Sequence, residues 1–236
     1  MKTLIIIPTY NEKENIPKLL GRLLNVHPDM HMLVVDDNSP DGTGEMVRGF
    51  SLENSRIHLL SRAKKNGIGP AYIAGFKWAL ERNYDAMIEM DADLSHRPRY
   101  IPKFLEGLKD FDVVIGSRWI PGGGIGAWAF WRVLLSRLAN VYSRIVLGVP
   151  VQDLTGGFTA YRRDVLAKLD LDGIHSDGYC FQIEMKYRTF LKGFRLKEIP
   201  IRFPDRKAGK SKISRRIVFE ALFKVWLLKF TVPRGK

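Results

Sequence analysis

The chain has 236 residues, of which 45% are hydrophobic, so it can form a substantial core and is not expected to be disordered. Its single cysteine, Cys180, excludes an internal disulfide and fits a reducing compartment. No stretch approaches the roughly 18 consecutive apolar residues of a membrane-spanning helix. The apolar run at residues 4–7 is too short for a signal peptide.

The net charge of +13 is concentrated in two segments. Residues 113–152 contain four arginines and no acidic residue, and residues 206–236 contain ten basic residues and one acidic residue. Elsewhere the basic and acidic residues balance, with 24 of each. Segments of this kind attract phosphates, nucleic acid or anionic lipid.

Short apolar runs alternate with helical patterns through the first half of the chain. We predict strands at residues 4–7, 32–35, 57–60, 84–90 and 112–116, with a helix after each of the first four. Strand–helix units with short connections are typical of a right-handed, mostly parallel sheet. The sequence therefore indicates an α/β fold.

The second half is predicted to be mainly helical. Helices are expected at residues 131–147, 163–168, 180–192 and 213–230, and a last strand at residues 195–201. In the first of these helices, one face carries apolar side chains, namely Leu134, Leu138, Val141 and Ile145. Another face of the same helix carries Arg137, Asn140 and Arg144.

Two carboxylates, Asp91 and Asp93, follow the predicted strand at residues 84–90. Open α/β sheets bind their ligands at the carboxyl ends of the strands. Two oxygen ligands at such a point suit a hard divalent cation that carries phosphates. The alternative is a pair of solvated loop aspartates, and the Asp-x-Asp spacing by itself leaves both interpretations open.

Five segments of the chain contain recognisable motifs. They are residues 7–12 (IPTYNE), 35–43 (VDDNSPDGT), 91–96 (DADLSH), 153–158 (DLTGGF) and 205–212 (DRKAGKSK). In this order they resemble the family 2 glycosyltransferases with the GT-A fold, and most closely their polyprenol-phosphate (dolichol-phosphate) mannose synthases. The resemblance covers nearly the whole chain, and the first three segments are shared across the family.

The resemblance implies a role for each motif residue. The donor, GDP-mannose, is expected to contact Pro8, Tyr10, Glu12, Val35, Asp37, Asp91, Ala92, Asp93, Arg206 and Lys212. Mg²⁺ or Mn²⁺ is expected on Asp91, Asp93 and Ser95, and the acceptor phosphate on Arg118, Arg132 and Ser136. The residues expected to act in catalysis are Asp93, Arg118, Arg206 and Lys212.

The resemblance also implies the overall organisation. We expect a three-layer, Rossmann-like GT-A catalytic domain at residues 1–204, with acceptor and interface helices at 119–150. A basic loop and a membrane-facing helix are expected at 205–236, so that the protein is cytoplasmic and peripheral (monotopic) at the cytosolic face of a membrane. The reaction implied is inverting, metal-dependent transfer of mannose to a polyprenyl or dolichyl phosphate. A separate membrane-anchoring subunit stays open as a partner.

Other interpretations stay open at this point. The enzyme could use a UDP-sugar, for example as a polyprenyl-phosphate glucosyltransferase. The basic tail also suggests nucleic-acid binding, but the aspartates at the strand ends would repel such a ligand, so no nucleic-acid partner is expected. A silent membrane scaffold is the third alternative. Arg132 and Ser136 could form a solvated helix face, and Asp153 could simply cap the turn before Thr155.

The last predicted helix has two apolar sides at about 100° per residue. The aliphatic side contains Ile213, Ile217, Ala221 and Leu228, and the aromatic side contains Phe219, Phe223, Trp226 and Phe230. If the domain buries the aliphatic side, the aromatic side is left for a bilayer or a membrane subunit, with Trp128, Phe130 and Trp131 as a second contact. The alternative is that the domain buries both sides.

Overall fold

A computed structural model describes residues 1–27, 29–204 and 215–232, with side chains of the last helix described from residue 223 onward. The catalytic candidates Arg206 and Lys212, and the loop that contains them, lie outside the described residues. The strands are β1 (Thr3–Thr9), β2 (Met30–Asp36), β3 (Ile57–Ser61), β4 (Ala86–Glu89), β5 (Val113–Ser117), β6 (Gly124–Ile125), β7 (Thr159–Arg162), β8 (Leu196–Pro200) and β9 (Arg202–Phe203). The helices are α1 (Ile16–Leu24), α2 (Thr43–Glu53), α3 (Ile68–Glu81), α4 (Ile101–Asp110), α5 (Phe130–Leu147), α6 (Arg163–Lys168), α7 (Gly178–Leu191) and α8 (Arg215–Thr231).

Seven of these strands form one sheet in the order β3-β2-β1-β4-β7-β5-β8. All neighbouring pairs are parallel except the two that involve β7. In β1, Leu4 and Ile6 face one core cluster while Ile5 and Ile7 face another on the opposite side of the sheet. A continuous apolar run is what a strand buried on both faces requires, and the predicted α/β architecture is confirmed.

The antiparallel strand β7 was not predicted. It lies between β4 and β5, and its Ala160 pairs with both Ile88 and Val114. Because β7 runs against its neighbours, its amino end lies at the carboxyl ends of β4 and β5. The turn at residues 153–157, which precedes β7, is thereby brought to the same edge of the sheet as the aspartates that follow β4.

Helices α5 and α8 pack against each other and expose apolar side chains. On α5, the exposed residues are Phe130, Trp131, Leu134, Leu138, Val141 and Ile145. Asn140 and Ser143 of the same helix are buried, whereas Arg137 is exposed, so the apolar face points outward and part of the polar face points into the domain. The grouping of the four apolar residues on one face was predicted correctly, but the sequence did not show that this face is exposed.

Helix α8 follows the predicted two-sided pattern as far as its side chains are described. Leu228 is buried, whereas Phe223, Trp226 and Phe230 are 71%, 45% and 74% exposed. The other members of both stripes precede residue 223 and lie outside the described side chains. Within the part of the chain that the structure describes, no helix is long and apolar enough to cross a bilayer.

Candidate active site

A cavity of about 200 Å³ opens at the edge of the sheet where β4, β5 and β7 meet. Asp91, His96, Arg118 and Arg132 line it, whereas Asp93 and Ser95 are not part of its wall. The 153–157 turn and the start of α7 complete the wall, through residues that include Thr155, Gly157, Tyr179 and Gln182. The structure therefore brings Asp91, of the predicted metal ligands, together with the predicted acceptor arginines.

The loop after β4 is held in a defined conformation around Asp91. The backbone N–H of Asp91 donates to His96 Nδ1 at 3.0 Å, and the Tyr72 hydroxyl donates to Asp91 Oδ1 at 3.3 Å. Further along, the backbone N–H of Ser95 donates to Asp93 Oδ1 at 3.0 Å. Leu94 between them has a φ of 63°, a region that non-glycine residues seldom adopt and that is found more often at functional sites.

The donor atoms of this loop fit a divalent cation that carries phosphates. Asp91 and Asp93 supply hard carboxylate oxygens, and the buried Ser95 hydroxyl oxygen has no hydrogen-bond partner among the described residues. No group of three or more His, Cys, Asp or Glu side chains in those residues could hold an ion. An ion here would thus complete its shell with phosphate oxygens and water, as Mg²⁺ commonly does in phosphate-binding sites.

The donor candidates on β1 and β2 lie along the neighbouring strand ends. Tyr10 is half-exposed, and Lys65 Nζ lies 3.9 Å from the centroid of its ring. Glu12 accepts a hydrogen bond of 2.7 Å from Asn15 Nδ2. Asn15 occupies the N-cap position of α1, but its side chain does not cap the helix backbone.

Two of the predicted donor residues lie in the core or close to it. The side chain of Val35 is fully buried in the core, and that of Ala92 is only 4% exposed. Pro8, by contrast, is half-buried at the end of β1. A ligand in the cleft would reach Val35 only through its backbone, because the side chain is inaccessible.

The adjacent aspartates Asp36 and Asp37 have different roles. Asp36 accepts from the Ser39 backbone and from the Thr9 hydroxyl, so it shapes the turn after β2. Asp37 accepts from Arg62 at 2.8 Å and from the Asn66 backbone at 3.3 Å. Burial raises the pKa of Asp37, and the charge of Arg62 offsets only part of this effect.

Arg118 forms a buried, two-pronged ion pair with Asp153. Its Nε and Nη2 atoms donate to the two carboxylate oxygens at 2.7 Å each, and its backbone N–H donates to the same carboxylate at 2.9 Å. Arg118 Nη2 also donates to Thr155 Oγ1 at 2.9 Å. Asp153 therefore does not simply cap the turn before Thr155, because it also holds Arg118 at the cavity.

The second arginine at the cavity is held by an aromatic ring. The Arg132 guanidinium carbon lies 3.9 Å from the centroid of the Trp128 ring, which favours a cation at this point. Arg132 lines the cavity together with Arg118. Ser136 lies one turn further along α5, is half-buried, and is not part of the cavity wall.

A buried acid and a buried lysine behind the cavity were not identified from sequence. Glu89 of β4 and Lys186 of α7 are both fully inaccessible to solvent. Burial raises the pKa of Glu89 to about 8 and lowers the pKa of Lys186 to about 8, although each charge partly offsets the effect on the other. The only signal for them in the sequence is a charged residue within an otherwise apolar strand or helix face.

Comparison with known sequences identifies close relatives. The sequence model of the family described as Glycosyl transferase family 2 matches residues 4–170. A protein of Mycolicibacterium smegmatis named polyprenol monophosphomannose synthase is 46% identical over 239 residues, covering 100% of this chain and 90% of that protein. A Micrococcus luteus protein named undecaprenyl-phosphate mannosyltransferase is 49% identical over 225 residues, covering 95% of this chain and 93% of that protein.

Comparison with solved structures shows the same fold at much lower identity. Glucosyl-3-phosphoglycerate synthase from Mycobacterium tuberculosis, in complex with Mn²⁺, UDP and glucosyl-3-phosphoglycerate, superposes with a TM-score of 0.69 at 17% identity. The match covers 98% of this chain and 81% of that chain. A second complex, with Mn²⁺, UDP and phosphoglyceric acid, gives a TM-score of 0.70 at 15% identity, covering 99% and 80% of the two chains.

Proposed function

From the premise that this chain belongs to glycosyl transferase family 2 and is a glycosyltransferase with the GT-A fold, we propose that it transfers mannose from GDP-mannose to the phosphate of a polyprenyl or dolichyl lipid. The observation that carries the proposal is a single cavity whose wall contains Asp91, two residues before Asp93, together with Arg118 and Arg132. A metal-bound diphosphate suits the aspartates and an anionic acceptor suits the arginines. The names of the two bacterial relatives support mannose and a polyprenyl phosphate as the substrates.

The proposed reaction requires little acid–base chemistry from the protein. An acceptor phosphate is already anionic at pH 7, so no strong general base is needed to create the nucleophile. Guanidinium groups match phosphate oxygens in pairs, which suits Arg132 to hold the acceptor beside the donor. Arg118 donates to Asp153 and Thr155 through Nε and Nη2, so its Nη1 group is the one that would meet the acceptor. Direct attack of the phosphate oxygen on the sugar carbon would invert that carbon and release the nucleoside diphosphate.

The leaving diphosphate accumulates negative charge, which the site must stabilise. Mg²⁺ or Mn²⁺ held by Asp91, Asp93 and the Ser95 hydroxyl would supply this electrostatic stabilisation. From the sequence motif, we propose that Arg206 and Lys212 add positive charge over the same diphosphate. Pro8, Tyr10, Glu12 and Asp37 are proposed to line the base and ribose pocket at the ends of β1 and β2.

A panel of donors tests the proposed reaction directly. Purified protein is incubated with a polyprenyl phosphate, Mg²⁺ or Mn²⁺, and each of several GDP- and UDP-sugars, and the lipid product is analysed by mass spectrometry and by the anomeric configuration of its sugar. We expect mannosyl lipid with the β configuration from GDP-mannose. Transfer from a UDP-sugar alone would establish the alternative, a glucosyltransferase-like enzyme, in place of the proposed one.

The basic segment around Arg206 yields a first prediction. Arg206→Ala is expected to lower kcat by a factor of roughly 10², because removal of one group that stabilises transition-state charge has an effect of that size. The matched control is Lys210→Ala, which removes a positive charge from the same segment at a residue to which no role is assigned. A rise in the KM for GDP-mannose with unchanged kcat would show that Arg206 binds only the ground state.

We also propose that the outward apolar face of α5 and α8 lies on a membrane, so that the protein is peripheral at its cytosolic side. The face combines the exposed residues of α5 with Phe223, Trp226 and Phe230 of α8. Exposed apolar patches of this extent on a helix pair are typical of interaction surfaces. Lys224 and Lys229 of α8 are placed to meet lipid headgroups, where each basic residue contributes about 1 kcal/mol near an anionic surface.

This surface yields a second prediction. The double variant Phe223→Ser/Trp226→Ser is expected to co-sediment much less with anionic liposomes than the parent protein, because it removes two exposed aromatic side chains from the apolar face. Transfer to a short, water-soluble acceptor should be unchanged. Leu52→Ser, which alters an 85% exposed apolar residue on α2, is the matched control.

Two other results would contradict direct binding of this apolar face to a membrane. Equal sedimentation of parent and double variant would show that the face does not bind lipid. Failure of the parent to sediment at low salt, with recovery on addition of a membrane fraction, would favour a separate membrane-anchoring subunit instead.

A further inference from the structure

Lys186 is a charged residue at a position that is fully buried. It lies in the middle of α7, is fully buried, and is surrounded in sequence by buried apolar residues such as Met185 and Tyr187. Removing an ammonium group from water costs considerable free energy unless it is paired and hydrogen-bonded. An apolar side chain could fill the same space, so the contacts of the lysine indicate what it does.

The ammonium group of Lys186 binds the turn at residues 153–157 from behind. Its Nζ donates to the Gly156 carbonyl at 2.7 Å and to the Leu154 carbonyl at 3.2 Å. Within its own helix, it lies 3.4 Å from the Gln182 carbonyl and 3.3 Å from Gln182 Oε1. The two turn carbonyls flank Thr155 and therefore fix its orientation.

The turn at residues 153–157 positions Arg118 at the cavity. Thr155 Oγ1 accepts from Arg118 Nη2 at 2.9 Å and from Asn140 Nδ2 at 3.0 Å. Asp153, at the start of the same turn, holds the Nε/Nη2 edge of the Arg118 guanidinium with its two carboxylate oxygens. Lys186 thus bonds directly to two residues of the cavity wall, Gly156 and Gln182, although it does not itself line the cavity.

We propose that Lys186 is a positioning residue for the acceptor, which fixes the Leu154–Gly156 turn so that Asp153 and Thr155 present Arg118 to the acceptor phosphate. This inference rests on the proposed function, because it assumes that an anionic acceptor binds at Arg118. The hydrogen bonds of Lys186 go to this turn and to Gln182, and none goes to Asp91 or Asp93 on the donor side. Loss of Lys186 should therefore affect the two substrates unequally.

The test compares Lys186→Met and Lys186→Gln with the parent protein. Met fills a similar volume without a donor, and Gln keeps one donor for a turn carbonyl. We expect kcat/KM for the polyprenyl phosphate to fall on the order of 10²-fold in Lys186→Met, as for a misplaced reacting group, and less in Lys186→Gln. The dissociation constant of GDP-mannose, measured by calorimetry with Mn²⁺, should stay within about twofold of the parent value in both variants.

Thr189→Val is the matched control for stability alone. Thr189 is also fully buried in α7, but its hydroxyl donates only to the Met185 carbonyl of the same helix. Its acceptor kcat/KM should equal that of the parent. If the parent transfers no sugar, the proposed function fails, and this inference with it.

If the parent is active, three results would overturn the inference alone. The first is unchanged acceptor kcat/KM in Lys186→Met, and the second is an equal loss of donor affinity. The third is failure of both Lys186 variants to fold while Thr189→Val folds, which would show that the lysine serves stability.

Discussion

Replacement of Asp93 by alanine is expected to abolish sugar transfer while leaving the fold intact. The variant removes a charged oxygen ligand from the candidate metal site, and a catalytic metal contributes several kcal/mol of charge stabilisation to the transition state. We therefore expect a loss of roughly 10³-fold or more in kcat, measured as mannosyl lipid formed per enzyme. The far-UV circular dichroism spectrum and the melting temperature should remain close to those of the parent protein.

Metal removal provides an independent measurement of the same site. EDTA should abolish transfer by the parent protein, and excess Mg²⁺ or Mn²⁺ should restore it, whereas neither ion should rescue Asp93→Ala. Asp110→Ala, which removes an exposed carboxylate at the end of α4, is the matched control and should retain full activity. Full activity of the parent in EDTA would contradict the metal assignment.

Asp153→Asn is expected to lower the free energy of unfolding by roughly 3–5 kcal/mol, the usual effect of removing one partner of a buried ion pair. The amide has nearly the same shape as the carboxylate, so the loss reports charge and hydrogen bonding more than packing. Arg118 would keep a buried positive charge opposite a neutral group. Chemical denaturation at pH 7 measures the change, and acceptor kcat/KM should fall as well because Arg118 loses its support.

The difference in the free energy of unfolding between the parent and Asp153→Asn depends on pH with a defined sign. Burial alone would raise the pKa of Asp153, but the charge and hydrogen bonds of Arg118 outweigh that effect and lower the pKa below its ordinary value of 3.8. A carboxyl with a lowered pKa contributes stability that is fully present above the unfolded-state pKa and is lost as the pH falls through the folded-state pKa. The difference between parent and Asp153→Asn should therefore be constant from pH 7 down to about pH 5 and shrink below about pH 4.

An exposed ion pair supplies the control for this experiment. Asp112 contacts Arg195, whose side chain is 64% exposed, and pairs of that kind contribute about 0–1 kcal/mol. Asp112→Asn should therefore change stability much less than Asp153→Asn. Similar losses for the two variants would show that burial does not strengthen the Arg118–Asp153 pair.

Local sequence pattern was sufficient for the parallel strand–helix units and for one half of the candidate site. Buried parallel strands require continuous apolar runs, so the β1 run at residues 4–7 could be recognised without any knowledge of its partners. Polar residues that directly follow such a run must lie at a strand end, which placed Asp91 and Asp93 at the ligand-binding edge. The GT-A fold and the family assignment agree with the resemblance stated from the motifs.

The acceptor half of the candidate site depended on contacts between segments that are far apart in sequence. Asp153 and Arg118 are 35 residues apart, and nothing in the local pattern indicates that the insertion of β7 between β4 and β5 would bring them together. The role of Lys186 follows from the same turn, through carbonyl groups that carry no sequence signal. Helical spacing grouped the residues of α5 by face, but only packing showed that Asn140 points inward, because periodicity gives relative and not absolute orientation.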